Sequence, residues 1–250
     1  MKHVYLYIIL LFLLLSCLQS NKQNNQSKTF LILFDVSLSV SKPEVRLSYK
    51  AAYKKIFAKV DAGDNLLVGY ITDKSINQLE LPVAFKYKPF QPTTDNEIGI
   101  ANEKAQYLSV TVRQKDSINH IVDSILTKVN RNVQYTDIFS SLNLAEKLFG
   151  QYPNSQKVLI IFSDMEEDSP SIHFTSANLN GTKITQIIEN QRKENLLPDL
   201  SNVKVFVVGA NSSDYQKYEQ VESFWLRYLQ ECKADINKKN YNSVLANFEI

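Results

Sequence analysis

The sequence has few of the residue types on which most enzyme active sites depend. Its 250 residues include three histidines, two cysteines and six glycines. The patterns His-Glu-x-x-His, Gly-x-Ser-x-Gly, Gly-x-x-x-x-Gly-Lys and Cys-x-x-Cys do not occur. The chain therefore offers no paired nucleophile and base and no dinucleotide-binding or phosphate-cradling loop. We expect a protein that is not an enzyme.

An excess of charge of one sign is also missing. The chain has 28 Lys and Arg against 26 Asp and Glu, for a formal net charge of +2. No stretch concentrates basic residues with interleaved aromatic residues, so nucleic-acid binding has no electrostatic footprint. A hydrophobic content of 44% and a charged content of 22% are ordinary for a soluble globular protein.

Residues 1–16 have the composition of a signal peptide. Lys2 and His3 precede twelve apolar residues, 4–15, which as a helix would span about 18 Å, short of the ~30 Å hydrocarbon core of a bilayer. Leu14-Leu15-Ser16-Cys17 then resembles the bacterial lipobox, which implies cleavage before Cys17 and acylation of that residue. The alternative is an ordinary signal or anchor with an incidental cysteine. Residues 17–28 are polar and predict a tether.

Apolar runs without polar alternation predict a mainly parallel sheet. Such runs are typical of strands buried on both faces, and they occupy residues 30–34, 66–72, 158–163 and 203–208. Segments with helical spacing separate them. We therefore predict a single three-layer, doubly wound α/β domain over residues 29–250, with one antiparallel edge strand between Leu79 and Tyr87.

The least regular region covers about residues 73–115. Leu108, Val110 and Val112 alternate with polar residues and predict a second half-buried strand, followed by a helix from Asp116. Residues 88–105 then form a long loop, which is either a recognition element or a tolerated insertion.

Polar side chains with oxygen donors follow two of the predicted buried strands. Asp35, Ser37 and Ser39 stand at alternate positions after the first strand, so in an extended chain they project to one side. Asp164 ends the strand over residues 158–163, and Thr136 precedes a predicted helix. Oxygen-only donors suit Mg²⁺, Ca²⁺ or Mn²⁺, and open α/β sheets bind ligands at the carboxyl ends of their strands.

In this order, the motifs resemble the metal-ion-dependent adhesion site (MIDAS) of the von Willebrand factor A (VWA) domain. That site consists of Asp-x-Ser-x-Ser on one loop, Thr on a second and Asp on a third. The resemblance covers roughly residues 28–235 and implies a Rossmann-type topology and a divalent metal, Mg²⁺ first and Ca²⁺ or Mn²⁺ as alternatives. It assigns the ligand roles to Asp35, Ser37, Ser39, Thr136 and Asp164.

One departure from the family follows Asp164. The family usually has Gly in the next position, where this chain has Met165. The loop can therefore turn differently and bring Glu166, Glu167 or Asp168 towards the metal as an accessory acid, which would favour Ca²⁺. The alternative interpretation of these three acids is a solvated loop.

Together these features predict a binding module in the bacterial cell envelope, anchored to the membrane through Cys17 and exposed to the periplasm or the cell surface. The resemblance implies that the metal holds an Asp or Glu of a protein partner. Two alternatives remain: a structural lipoprotein in which the ion only braces three loops, and a metal-assisted hydrolase.

Overall fold

The computed structural model describes residues 26–72, 80–127, 135–169, 172–174, 178–212, 214–246 and 248–250. The predicted signal peptide, Cys17 and most of the predicted tether lie outside these residues. The first strand begins at Lys28, and the Gln26 amide donates to the Asn154 carbonyl over 3.1 Å. The last residues assigned to the tether therefore already contact the folded chain.

A six-stranded sheet forms the centre of the molecule, in the order β3-β2-β1-β4-β7-β8. Its strands are β1 (Lys28–Asp35), β2 (Asn65–Ile71), β3 (Val83–Lys86), β4 (Gln156–Phe162), β7 (Val203–Val208) and β8 (Tyr241–Asn242). All neighbours pair in parallel except β2 and β3, which are antiparallel. The predicted parallel strands and the antiparallel edge strand are confirmed. A separate hairpin joins β5 (Asp168–Ser169) to β6 (Ile172–His173).

Helices cover both faces of this sheet. One face carries α1 (Pro43–Phe57) and α2 (Glu97–Thr127), and the other carries α3 (Ile138–Gly150), α4 (Gly181–Lys193) and α5 (Tyr215–Glu231). Alternate residues of β1 serve the two cores: Phe30 and Ile32 pack towards α1 and α2, and Leu31 packs towards α3 to α5. The predicted three-layer α/β architecture is confirmed.

The predicted strand over Leu108, Val110 and Val112 is wrong. These residues lie within α2, which starts at Glu97 and not at Asp116. All three side chains are exposed. The prediction failed because it assumed that regularly spaced apolar residues are buried, whereas here they lie on the surface of a helix. The predicted loop is correspondingly shorter, since only residues 87–96 connect β3 to α2.

The strand order places a crevice between β1 and β4. The chain passes from β1 to β2 on one side and from β4 to β7 on the other, so the connections diverge between the two central strands. In open α/β sheets the crevice at such a switch point is the usual ligand site. Within the described residues, no helix is long and apolar enough to cross a membrane.

Candidate metal centre

The loop after β1 is ordered by its own side chains. Asp35 is the last residue of β1, and its Oδ1 accepts from the Ser37 amide over 2.8 Å. The hydroxyls of Ser37 and Ser39 lie 2.9 Å apart and share a hydrogen bond. The structure therefore brings together the carboxylate and both hydroxyls of the Asp-x-Ser-x-Ser motif.

A second set of hydrogen bonds joins this loop to the one after β4. The Ser163 hydroxyl donates to Asp35 Oδ2 over 2.8 Å. The Ser39 hydroxyl lies close enough to the Asp164 carboxyl group to lower its pKa, although burial and the charge of Asp35 have larger, opposite effects. The two loops thus meet at the switch point, and Asp164 stands beside Asp35. Ser163 was not among the predicted site residues, although its position between β4 and Asp164 could have indicated it.

Met165 adopts the backbone conformation that usually requires glycine. Its φ is +65°, in the left-handed region. Its side chain is fully buried, its amide donates to the Ser163 hydroxyl oxygen over 2.9 Å, and its carbonyl accepts from Trp225 Nε1 over 2.8 Å. These contacts hold the strained turn, so a glycine is not needed for Asp164 to reach Asp35.

Thr136 lies on the loop that precedes α3. Its backbone pairs with that of Asp168 through two hydrogen bonds, of 2.9 and 3.0 Å, and its side chain is buried. The next residue, Asp137, caps α3 by accepting from the Ser140 amide over 2.9 Å. The pairing with Asp168 ties the Thr136 loop to the chain that follows Asp164. The other four predicted ligands lie together where the loops after β1 and β4 meet.

The three acids after Met165 have different surroundings. Glu166 lines the cavity beside Asp164 and pairs with Lys217 over 2.8 Å. Glu167 is fully buried, and its Oε2 accepts from the Ile138 amide over 2.8 Å at the start of α3. Asp168 contacts the His173 ring. The solvated-loop interpretation is therefore wrong for Glu167. Of the three acids, Glu166 alone lines this cavity.

A cavity of about 310 Å³ opens beside the two loops. Ser39, Asp164 and Glu166 line it, together with residues from the segment before α1, from α1 and from the loop after β7. Those further residues are Val40, Lys42, Glu44, Val45, Gly209, Asn211 and Ser212. The cavity gives a group from outside the chain direct access to Ser39 and Asp164.

Tyr49 and Gly209 pack against each other beside the two acids of the site. Gly209 has a φ of +104°, and a Cβ there would lie 2.2 Å from the Tyr49 hydroxyl oxygen. Burial raises the pKa of Tyr49 well above its ordinary value, and the charges of Asp35 and Asp164 raise it further. The tyrosine therefore stays neutral next to both acids.

The two acids disfavour each other's negative charge. Burial raises the pKa of Asp35, which is 4% exposed, although hydrogen bonds from Ser37 and Ser163 oppose this effect. Burial, and then the charge of Asp35, raise the pKa of Asp164 to about 7. A cation bound between them would remove both penalties.

The donor set fits a hard divalent cation. It combines two carboxylates with the hydroxyls of Ser37 and Ser39, and all four donors are oxygens. Among the described residues, no group of three or more His, Cys, Asp or Glu is arranged to hold a metal. An ion at this site would therefore depend on hydroxyl ligands as well as on acids.

The fold and this cluster define an α/β domain with a candidate cation site at the switch point of its sheet. No protein-family model and no curated protein sequence matches the chain. Solved structures do match it. Proximal thread matrix protein 1 from the mussel byssus, with a zinc-occupied MIDAS motif, is 14% identical at a TM-score of 0.43, and the match covers 84% of this chain and 47% of that one.

Two further structures belong to the same group of matches. A von Willebrand factor type A protein from Catenulispora acidiphila is 10% identical at a TM-score of 0.39, with 83% of this chain and 42% of that chain covered. Manganese-loaded TRAP protein from Plasmodium vivax is 12% identical at a TM-score of 0.36, with 87% and 68% covered. The chain spans less than half the length of the first two proteins. All three TM-scores are below 0.5.

Proposed function

We propose that this chain is a VWA-like binding module in which Asp35, Ser37, Ser39, Thr136 and Asp164 bind one divalent ion, most readily Mg²⁺, and hold an acidic group of a protein partner. One observation carries the proposal. The hydroxyl of Ser163, the residue before Asp164, donates to Asp35 Oδ2 over 2.8 Å, which joins the loops after β1 and β4 at the switch point.

The balance of charges explains why an acidic partner suits this site. Neutral hydroxyls and two carboxylates are the donors here, so a bound divalent ion would keep affinity for a further anion. Such an ion would attract and polarise a carboxylate oxygen of the partner. Glu166, an additional acid on the cavity wall, is paired with Lys217 and repels an incoming carboxylate less than a free acid would.

The cavity also carries groups that can assist in holding an acid. Lys42 contributes a cationic side chain, and Asn211 and Ser212 contribute neutral donors. Glu44 on the same wall disfavours a second negative charge. These features support a partner that inserts one Asp or Glu side chain.

Metal binding is tested by calorimetry with Mg²⁺ and Mn²⁺. The key variant is Asp35→Asn, which keeps an oxygen that can accept from Ser37 but removes the charge. We expect its affinity to fall by at least about 100-fold, with an unchanged circular dichroism spectrum. Asp95→Asn, an exposed acid outside the site, makes the same change in net charge and should bind like the wild type. Lack of binding by the wild type at millimolar metal would contradict the proposal.

Partner capture separates the proposed function from its alternatives. The protein is used to pull down partners from the native envelope, with and without chelator. Capture that chelator abolishes supports the binding module. A metal-raised melting temperature without any chelator-sensitive partner indicates a bracing ion, and turnover of a substrate indicates a hydrolase.

The proposal includes an envelope location with a lipid on Cys17. It rests on the residues Leu14-Leu15-Ser16-Cys17 ahead of a polar segment. We expect mass spectrometry of the mature protein to find Cys17 as an acylated N-terminal residue. An N-terminus elsewhere, or an unmodified Cys17, would contradict this part without affecting the metal site.

A further inference from the structure

The first two thirds of α2 form a long helix with no buried residue. No side chain of residues 97–117, here called the arm, is buried; the first buried residue of α2 is Ile118. At 1.5 Å per residue this arm is about 31 Å long. Helices in proteins owe most of their stability to packing, so an arm of this length without buried contacts points to something that packs on it.

The arm points away from the candidate metal centre. Arg46, near the start of α1, donates to the Leu126 carbonyl over 2.5 Å, and the Lys115 ammonium lies 5.7 Å from the centroid of the Phe57 ring at the end of α1. The two helices therefore run antiparallel. Residues before Lys115 extend beyond α1, at the end of the sheet opposite the site.

The loop before α2 braces one face of the arm. The Thr93 amide and hydroxyl both donate to the Glu103 carboxylate, over 2.7 and 2.6 Å. The Tyr107 hydroxyl donates to the Lys88 carbonyl over 2.9 Å, and the Phe90 and Tyr107 rings lie 5.5 Å apart. These contacts hold the arm in a defined direction.

An apolar stripe lies on the face opposite this loop. It consists of Ile98, Ala101, Ala105, Leu108 and Val112, all exposed. Ile98 is 78%, Leu108 52% and Val112 58% exposed. Their 3-4-3-4 spacing is the repeat of a coiled-coil seam. At about 100° per residue, the stripe is turned about 95° from the face that packs on the domain, and its exposure shows that α1 and the sheet leave it uncovered.

We infer that a second copy of this chain covers the stripe, with the two arms packed antiparallel. The small side chains of Ala101 and Ala105 in the middle of the stripe let two backbones approach closely. Charge supports the antiparallel direction: Glu97 lies at the start of the stripe, and Arg113 and Lys115 lie at its end. An antiparallel pair places each Glu97 near the basic end of its neighbour, twice through the two-fold axis, whereas a parallel pair aligns like charges.

The geometry leaves room for this pairing. In the described part of the chain, contacts of the arm with α1 begin at Lys115, and the loop before α2 covers only the face opposite the stripe. Arms that overlap along residues 97–113 therefore keep the two domains at opposite ends. A membrane surface fits the stripe less well, because helices that lie on membranes are rich in Lys and Arg on their polar face. Residues 97–113 carry two acids, Glu97 and Glu103, and two bases, Lys104 and Arg113.

Sedimentation equilibrium of the full chain in density-matched detergent tests the inference. We expect a reversible dimer that Leu108→Glu weakens at least about tenfold, because the substitution places a charge in the seam. Leu47→Glu is the matched control, since Leu47 is 68% exposed on α1. It should leave the dimer unchanged. Circular dichroism checks that both variants fold.

A charge exchange tests the direction of the arms. Glu97→Arg alone and Arg113→Glu alone should each weaken the dimer, and the double variant should recover it. A monomeric wild type, or equal weakening by Leu47→Glu, would overturn the inference. A monomer whose stripe binds phospholipid vesicles would also overturn it. If the double variant does not recover the dimer, the antiparallel arrangement is overturned.

Discussion

The two ends of the central sheet depart from the usual distribution of side chains in opposite ways. At the carboxyl end of β1 and β4, carboxyl groups are buried: Asp35 is 4% exposed, and burial is the largest cause of the raised pKa of Asp164. At the other end, apolar side chains are exposed along the arm, with Ile98 at 78%.

Each departure carries an energetic cost that the isolated chain does not offset. A buried carboxylate loses its hydration, and an exposed apolar stripe stays in contact with water. The cost at the site is relieved by a cation, and the cost at the arm by another apolar surface. The two ends therefore suit different kinds of ligand, and mutations at each end should have different effects.

Gly209→Ala should have the largest effect on stability. The new Cβ would clash with the Tyr49 hydroxyl, and the φ of +104° is unfavourable for alanine. We expect urea denaturation to show a loss of about 3 kcal/mol or more. Gly63→Ala, at the opposite end of the sheet, is the control: its φ is +101°, but nothing lies within 4 Å. It should lose only about 1–2 kcal/mol. Equal losses in the two variants would show that the site end of the sheet is no more tightly packed than the opposite end.

Trp225→Phe should have the next largest effect. It removes the donor to the Met165 carbonyl in a buried position, which should cost about 2 kcal/mol in urea denaturation. Tyr53→Phe is a suitable control, because the buried Tyr53 hydroxyl has no hydrogen-bond partner in the described part of the chain. Removing the Tyr53 hydroxyl should leave the free energy of unfolding nearly unchanged. A neutral Trp225→Phe would mean that burial of Met165 alone holds the loop.

The stability of the chelated protein should fall as the pH rises. The pKa of Asp164 is raised from 3.8 to about 7 in the folded chain. Between these values the folded state holds a proton that the unfolded state has lost, so the stabilisation is full below about pH 4 and is lost by pH 7. Denaturation at pH 5 and pH 8 should differ by at least about 1.4 kcal/mol more in the wild type than in Asp164→Asn.

Added Mg²⁺ sharpens this measurement. A bound cation replaces the proton as the partner of the two carboxylates, so the fall in stability between pH 5 and pH 8 should shrink. If the chelated wild type and Asp164→Asn show the same pH dependence, burial of Asp164 is not costly and the contrast between the two ends weakens.

Leu108→Ser should have the smallest effect. Leu108 is exposed on the arm, so at concentrations where the chain is monomeric its free energy of unfolding should stay within about 0.5 kcal/mol of the wild type. Ile125→Ser, on the same helix but 1% exposed, should lose about 3 kcal/mol. A large loss in monomeric Leu108→Ser would show that the arm packs on its own domain.

Much of the fold was predictable because central parallel strands have a simple signature. Residues of β1 and β4 are buried on both faces, so their apolar runs lack alternation, and the strand directions follow from the helices between them. The parallel pairing of the short β8 was not predicted, since two residues carry no detectable period. The motif residues Asp35, Ser37, Ser39 and Asp164 stand out because they follow apolar runs.

The arm and the supporting residues of the site were missed for physical reasons. Leu108, Val110 and Val112 fit a period of two over five residues, too few to distinguish it from the 3-4 spacing that Leu108 and Val112 share with Ala105. Tyr49 and Ser163 contribute through contacts between distant segments, which no local pattern reveals. Glu167 belongs to a residue type that is usually exposed, but it is buried here because its carboxyl group accepts a hydrogen bond from the Ile138 amide at the start of α3.

The position of the arm has a consequence for how many partners one assembly can hold. Because the arm leaves from the end of the sheet opposite the site, a pair of chains joined through their arms has its two sites at its far ends, facing in opposite directions. Such an assembly gains no avidity on one small target, whose acidic groups cannot reach both ends. It is suited instead to cross-linking two separate targets.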